Sequence, residues 1–212
     1  MAVAAAAKMP AETPNDVPGV TRPMTYEEYL ASPEEMARYD ILDGWKVYRR
    51  YGEKQLTNPT IRHQRVQSRI VRALEQYEAA AGRGLTIAAP CDVLVRVLPT
   101  ARTRQPDVLF ISRERLGDHD LDDPAPLSPA PELVVEIVSP SDRPAVLAAK
   151  IADYRAVDVR EVWVVRTDTQ VVEVVRLTLD AIETTGVFGR GENVVSLAFD
   201  GLSVPVDAVF AP

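Results

Sequence analysis

A chain of 212 residues, 46% hydrophobic and 26% charged, has the make-up of a water-soluble globular protein. At that length it buries roughly 70% of its unfolded surface, so its core needs neither disulfides nor a structural metal. One cysteine, Cys91, excludes an internal disulfide and a cysteine-built zinc site and points to a reducing, cytoplasmic compartment, while no uncharged apolar run approaches the ~20 residues that would cross a membrane.

The net charge of −7 is unevenly spread. Arg49 to Arg104 hold eleven Lys and Arg against Glu53, Glu75, Glu78 and Asp92, a local +7 that leaves −14 elsewhere. An acidic body with one anion-seeking stretch is the functional reading, and chance clustering is the alternative.

Residues 1–23 are Ala/Pro-rich without apolar period and read as a disordered leader, followed by a single domain over 24–212. The capping-box pattern Thr25-Tyr-Glu-Glu28 starts a short helix expected to run to about Arg38. Apolar alternation from Tyr39 to Tyr51 around Asp43-Gly44 predicts a hairpin. From about Pro59 to Ala81, Val66, Ile70, Leu74 and Tyr77 recur at helical spacing before Gly82. On that helix Arg62, Arg65, Arg69 and Arg72 fall within roughly 80° of arc at ~100° per residue, forming a basic face that suits a nucleic-acid backbone. His63 projects with the apolar side, as a core-edge residue or one that lines a site.

Strands are expected at 85–89, 92–98, 107–111 and 132–138, then a helix from Asp142 to about Val157 with Leu147, Ile151 and Tyr154 on one stripe, then strands at 161–166, 171–176 and 194–199 and a short extended tail. This order of elements indicates an α/β or α+β sandwich. Asp107 opens the apolar run Val108–Ile111, and Glu136 interrupts Leu133–Val138. Acids placed so are desolvated and need a cation or hydrogen bonds, which suits metal binding or catalysis as well as an internal ion pair. The acidic stretch Asp118–Asp123 lacks the central glycine and closing glutamate of a calcium loop and reads as a solvated loop. No phosphate-cradling glycine loop or serine-nucleophile motif is present, so no nucleotide cofactor is expected.

Gln105-Pro-Asp-Val-Leu-Phe-Ile111, Pro131-Glu-Leu-Val-Val-Glu-Ile-Val-Ser-Pro-Ser-Asp142, Lys150, Tyr154 and Glu161-Val-Trp-Val-Val165, in this order, resemble the signature of a bacterial family described as putative restriction endonucleases, within the PD-(D/E)XK nuclease superfamily. Thr25–Leu30, Tyr39–Gly44 and His63 extend the resemblance. It implies an α/β (α+β) restriction endonuclease-like core, a central mixed sheet flanked by helices, and a magnesium (or manganese) ion held by Asp107 and Glu136, with Lys150 as the catalytic lysine. It also implies DNA as the partner of the arginine face, His63 and Gln105 as site-lining residues, and a homodimer as one assembly. The superfamily's usual lysine position, two residues after the second acid, is Val138 here, and Lys150 on the following helix resembles the family's substitute. Arg166 and Val146 stand where relatives carry Asp. A nuclease fold that binds nucleic acid or a protein without cutting is the alternative. Replacing Asp107 or Glu136 with Ala is expected to abolish metal binding and any cleavage while sparing the fold, since removing one of two facing carboxylates relieves their repulsion in the metal-free protein.

Deleting residues 1–22 is expected to leave the melting temperature unchanged, because a leader with no apolar period has nothing to bury; a clear fall in a thermal scan would show that the leader docks.

Overall fold

The computed structural model describes residues 22–33, 39–48, 59–139 and 142–211. Most of the proposed leader therefore lies outside the described residues. Its last two residues do not: exposed Arg22 pairs with Glu28, and Pro23 is half-buried.

Helix α1 spans Tyr26–Leu30, with the reciprocal capping box of Thr25 and Glu28 in place. It stops well short of Arg38, at C-cap Ala31. Ser32 precedes Pro33, and a residue before proline is pushed out of the helical region; residues 34–38 lie outside the described residues. Strands β1 (Tyr39–Leu42) and β2 (Trp45–Tyr48) form the expected hairpin. Its turn residues Asp43 and Gly44 have φ of 52° and 82°, the left-handed pair that a two-residue hairpin turn demands.

Helix α2 runs Ile61–Ala81, with Thr60 Oγ1 accepting from His63 N and Gly82 in the left-handed cap at φ 65°. Its buried stripe is His63, Val66, Ile70 and Leu74. There follow β3 (Gly84–Ala88), β4 (Val93–Arg96), β5 (Arg102–Arg104), β6 (Val108–Ser112), the single-turn α3 (Arg113–Leu116), β7 (Leu133–Val138) and α4 (Pro144–Ala156). The chain closes with β8 (Glu161–Arg166), β9 (Val171–Leu177), β10 (Ile182–Phe188), β11 (Asn193–Val195), β12 (Ser203–Pro205) and α5 (Val206–Val209). The strand expected at 194–199 is thus confined to Asn193–Val195. Residues 196–199 instead bend around a buried carboxylate: Glu161 accepts from Ser196 Oγ at 3.1 Å, Leu197 N at 2.6 Å and Ala198 N at 2.8 Å. β10, absent from the sequence reading, is an exposed edge strand that Gly186 bulges, so its side chains carry little burial pattern. β5 is Arg-Thr-Arg and has no apolar signal at all.

The main sheet has the order β10-β9-β8-β7-β6-β3. β7 and β8 are parallel, connected through α4, and the other neighbours are antiparallel. All six residues of β7 are buried, the mark of a central strand covered on both faces. On one face Leu133, Val135 and Ile137 pack with Val66, Ile70 and Leu74 of α2 and with the C-terminal segments. On the other, Val134 and Val138 pack with Ile151 and Tyr154 of α4 and with Val93 and Leu127. Glu136 therefore faces α4. Gly84 permits the edge pairing, since a Cβ there would lie 2.5 Å from the Phe110 ring.

Glu161 also accepts from the Trp163 indole, yet burial outweighs these donors and pushes its carboxyl above the usual carboxylate range. Stranding these four donors costs about 1 kcal/mol each, so Glu161→Ala is expected to lower stability by about 4 kcal/mol. A carboxyl whose folded pKa is raised contributes fully below its unfolded value and loses that contribution as pH rises through the folded one. The stability gap between wild type and Glu161→Ala, read by urea unfolding, is accordingly widest at acid pH and narrows above the carboxylate range.

Candidate active site

Glu136 is only 3% exposed, in the middle of β7. A lone carboxylate there would be strongly disfavoured, and α4 supplies what compensates it. Lys150 Nζ lies 3.0 and 2.9 Å from the two Glu136 oxygens, and the Tyr154 hydroxyl donates to Oε1 at 2.5 Å. Lys150 and Tyr154 are one helical turn apart, so both point from one face of α4 onto the same acid. Lys150 is itself buried, which rules out a surface lysine that merely lays its stem on apolar surface. Val138, the usual lysine position, packs in the apolar cluster on the Glu136 face, and the amine arrives there from the helix instead.

Asp107 immediately precedes β6 and is fully buried. Its N–H donates to Val135 O at 3.1 Å and its own carbonyl accepts from Ala89 N at 3.0 Å and from the Gln67 amide at 2.7 Å. Its Oδ2 accepts from Ile137 N at 2.6 Å, where the β6–β7 ladder has already ended at Val108 opposite Val135. The carboxylate thus lies against the residue next to Glu136. His63 Nε2 sits 3.4 Å from Asp107 Oδ1, brought there by the first turn of α2 and buried with the helix's apolar stripe.

The fold therefore makes two pairings, His63 with Asp107 and Lys150 with Glu136, linked by the bond from Ile137 N, next to Glu136, to the Asp107 carboxylate. Gln105 is buried nearby, with its backbone N–H bonded to Asp40 Oδ1 at 2.8 Å and its amide to Asp92 Oδ1 at 3.2 Å. Of the arginines, Arg62, Arg65 and Arg72 are exposed and Arg69 is half-buried. Arg65, Arg69 and Arg72 line a hollow of about 390 Å³ along α2. The departures at Val146 and Arg166 leave both pairings intact: Val146 is half-buried one turn before Lys150, and Arg166 pairs with Glu173 across the β8–β9 ladder.

Two features escaped the sequence reading. The sequence places Tyr154 on the apolar stripe and in the family signature but gives its hydroxyl no role, although a buried tyrosine hydroxyl needs a partner and one turn separates it from Lys150. The second is a buried ionic network: Arg104, 0% exposed, bonds Asp153 of α4 at 2.6 Å and Asp40 of β1 at 3.2 Å. Arg102 adds a second link to Asp153 at 2.8 Å and reaches Asp43 at 3.3 Å. The network ties the β1–β2 hairpin and the antiparallel β4–β5 pair to the helix that carries Lys150. Its pairs are 49 to 64 residues apart in the chain, so no local pattern announces it.

The expectation that either acid can be removed without cost is corrected for Glu136. Its partner is a buried ammonium rather than a second acid. Glu136→Ala is expected to destabilise the protein by about 3–5 kcal/mol by leaving that ammonium uncompensated, whereas Glu136→Leu combined with Lys150→Met recovers most of the loss. Denaturant unfolding of the single and double variants measures both effects, and an unchanged midpoint for Glu136→Ala would show that the pair is not energetically coupled.

The Uma2 family, described as "Putative restriction endonuclease", matches residues 26–207 of the chain. No curated protein matches it. A crystal structure described as a putative nuclease belonging to DUF820, from Anabaena variabilis, shares 18% sequence identity at a TM-score of 0.69, covering 89% of this chain and 98% of that one. At that identity the likeness concerns the fold. Among the described residues no helix is long and apolar enough to cross a membrane.

Proposed function

The chain belongs to the Uma2 family of putative restriction endonucleases, and on that premise we propose that it is a cytoplasmic, metal-dependent endonuclease that hydrolyses DNA phosphodiester bonds by attack of water. The observation that carries this reading is a pair of buried acids on adjacent strands, Asp107 bonded to the backbone of the residue next to Glu136 and Glu136 held by a buried lysine. The donor chemistry fits magnesium or manganese: hard carboxylate oxygens are the preferred ligands, and magnesium needs only one or two of them because it keeps several waters. Asp107 and Glu136 would hold the ion. Such an ion supplies Lewis acidity toward the phosphate and lowers the pKa of water.

The chain's own groups divide the remaining work. Ile137 N–H and His63 orient the Asp107 carboxylate from two sides. Tyr154 fixes the rotamer of Glu136. Lys150 carries three donors on one nitrogen and two go to Glu136, so its ammonium is placed to orient water or to oppose charge developing on the phosphate. The arginine face of α2 holds the DNA backbone by charge, without reading bases.

One observation favours a second reading. Both oxygens of Glu136 already meet the Lys150 ammonium, so the pair can serve as an internal ion pair in a nuclease fold that binds nucleic acid without cutting it.

Calorimetric titration with magnesium and manganese, together with cleavage of plasmid, linear duplex and single-stranded DNA, separates the two. The enzyme reading expects metal binding that weakens as pH falls, cleavage abolished in Asp107→Asn while the fold is kept, and metal binding retained with a slower rate in Lys150→Met. Metal binding without cleavage on any substrate selects the binding module. No metal binding removes the proposed centre. DNA affinity should also fall steeply with salt, the slope shrinking by about 1 for each of Arg62, Arg65 and Arg72 replaced by Gln.

A further inference from the structure

One ammonium meets both oxygens of Glu136: Lys150 Nζ lies 3.0 Å from Oε1 and 2.9 Å from Oε2. Glu136 is 3% exposed and Lys150 6%, so little water or salt screens either charge. The pair is neutral as it stands. A divalent ion added to it leaves excess positive charge at a buried place, even when Asp107, bonded to the backbone next to Glu136, is counted. Without the ammonium, two carboxylates and one divalent ion balance. Lys150 and a metal are therefore rivals for the same acid.

The groups on Glu136 differ in what they can give up. Tyr154 donates to Oε1 at 2.5 Å, and its neutral phenol fixes the carboxylate without opposing a cation. Lys150 carries a point charge on a flexible aliphatic stem, which can swing the ammonium away while the backbone of α4 stays in place. The buried cation one turn further along is of the other kind: the planar guanidinium of Arg104 spans Asp40 and Asp153 in a fork that has no such freedom.

We propose that Lys150 is the resident counter-cation of Glu136 and withdraws from it when a divalent ion binds, so that the lysine opposes metal binding at this acid. The inference rests on the nuclease reading above and adds regulation to it. Metal affinity is set by the work of moving the ammonium as well as by the acids, and Tyr154 keeps the carboxylate aimed while the two cations exchange.

Calorimetric titration with magnesium and manganese compares wild type with Lys150→Gln and Lys150→Met. Both variants are expected to bind metal about tenfold tighter, since a like charge has been removed from a buried site. In EDTA, Lys150→Met should melt below wild type because Glu136 is left uncompensated, and manganese should raise its melting temperature by more than it raises that of wild type. Lys150→Gln keeps a donor for the carboxylate and so separates loss of charge from loss of folding. Adding Glu136→Gln to it should abolish the gain in affinity. A further readout needs no variant. The lysines are Lys8, Lys46, Lys54 and Lys150, so the ammonium signals of a protein with isotope-labelled lysine are few. That of Lys150, assigned through its backbone, should shift with magnesium at the calorimetric midpoint. Variants that bind no tighter than wild type, or a Lys150 signal indifferent to saturating magnesium, would overturn the inference and leave the metal centre standing. A gain that survives Glu136→Gln, or no metal binding by any of these proteins, would remove Glu136 as a ligand and the inference with it.

Discussion

The pairing of Glu136 with Lys150 governs how the second half of this protein is assembled. Glu136 occupies a strand buried on both faces, where an uncompensated charge would cost several kcal/mol. The ammonium that compensates it must approach from α4, because the neighbouring position on its own strand face is Val138, packed in the apolar layer. That requirement sets the rotation of α4 about its axis, and with it the burial of Ile151 and the direction of Tyr154. One turn later, Asp153 of the same helix receives Arg104 and Arg102, so charge holds α4 at two successive levels. The helix has little contrast between its faces, which makes such anchors more decisive than any apolar stripe.

The two acids are held by different physics, and this difference matters for what each can do. Glu136 is met by a formal positive charge and a phenol. Asp107 is met by a backbone N–H and an imidazole. The β6–β7 ladder spans three residue pairs only, and at its end the Asp107 carboxylate takes over the Ile137 N–H. Side chain thus replaces backbone in the sheet, which pins the acid's orientation as firmly as a ladder bond. On the opposite side of the sheet, the Thr60 cap fixes the first turn of α2 and so delivers His63 to the same carboxylate.

The distribution of charge follows the same division. The acids at the centre are buried and individually partnered, while the arginines of α2 lie along the outer side of the helix whose inner side is core. One helix therefore packs against the sheet, presents His63 to Asp107 and carries the basic face. A shift of its register by one residue would disturb all three, which couples stability to the arrangement of the site.

Much of this was legible in the amino-acid order because it depends on local periods. The 3.6-residue recurrence of Val66, Ile70 and Leu74, the Asp43-Gly44 turn, and an acid inside a β-rich apolar run each announce a helix, a hairpin and a desolvated carboxylate. The motif series around Asp107, Glu136 and Lys150 also carried the family resemblance. What tertiary structure alone decided are the long-range partners. That Tyr154 bonds Glu136, that Arg104 joins β1 to α4, and that Glu161 gathers residues 196–198 all depend on side chains meeting across many intervening residues. Even the end of the strand at Val195 is set by such a carboxylate rather than by propensity. Sequence by itself marked Asp107 and Glu136 as buried and costly; only the folded chain decided what compensates them and that Arg104 and Glu161 are buried too, because pairing requires a second residue delivered in space.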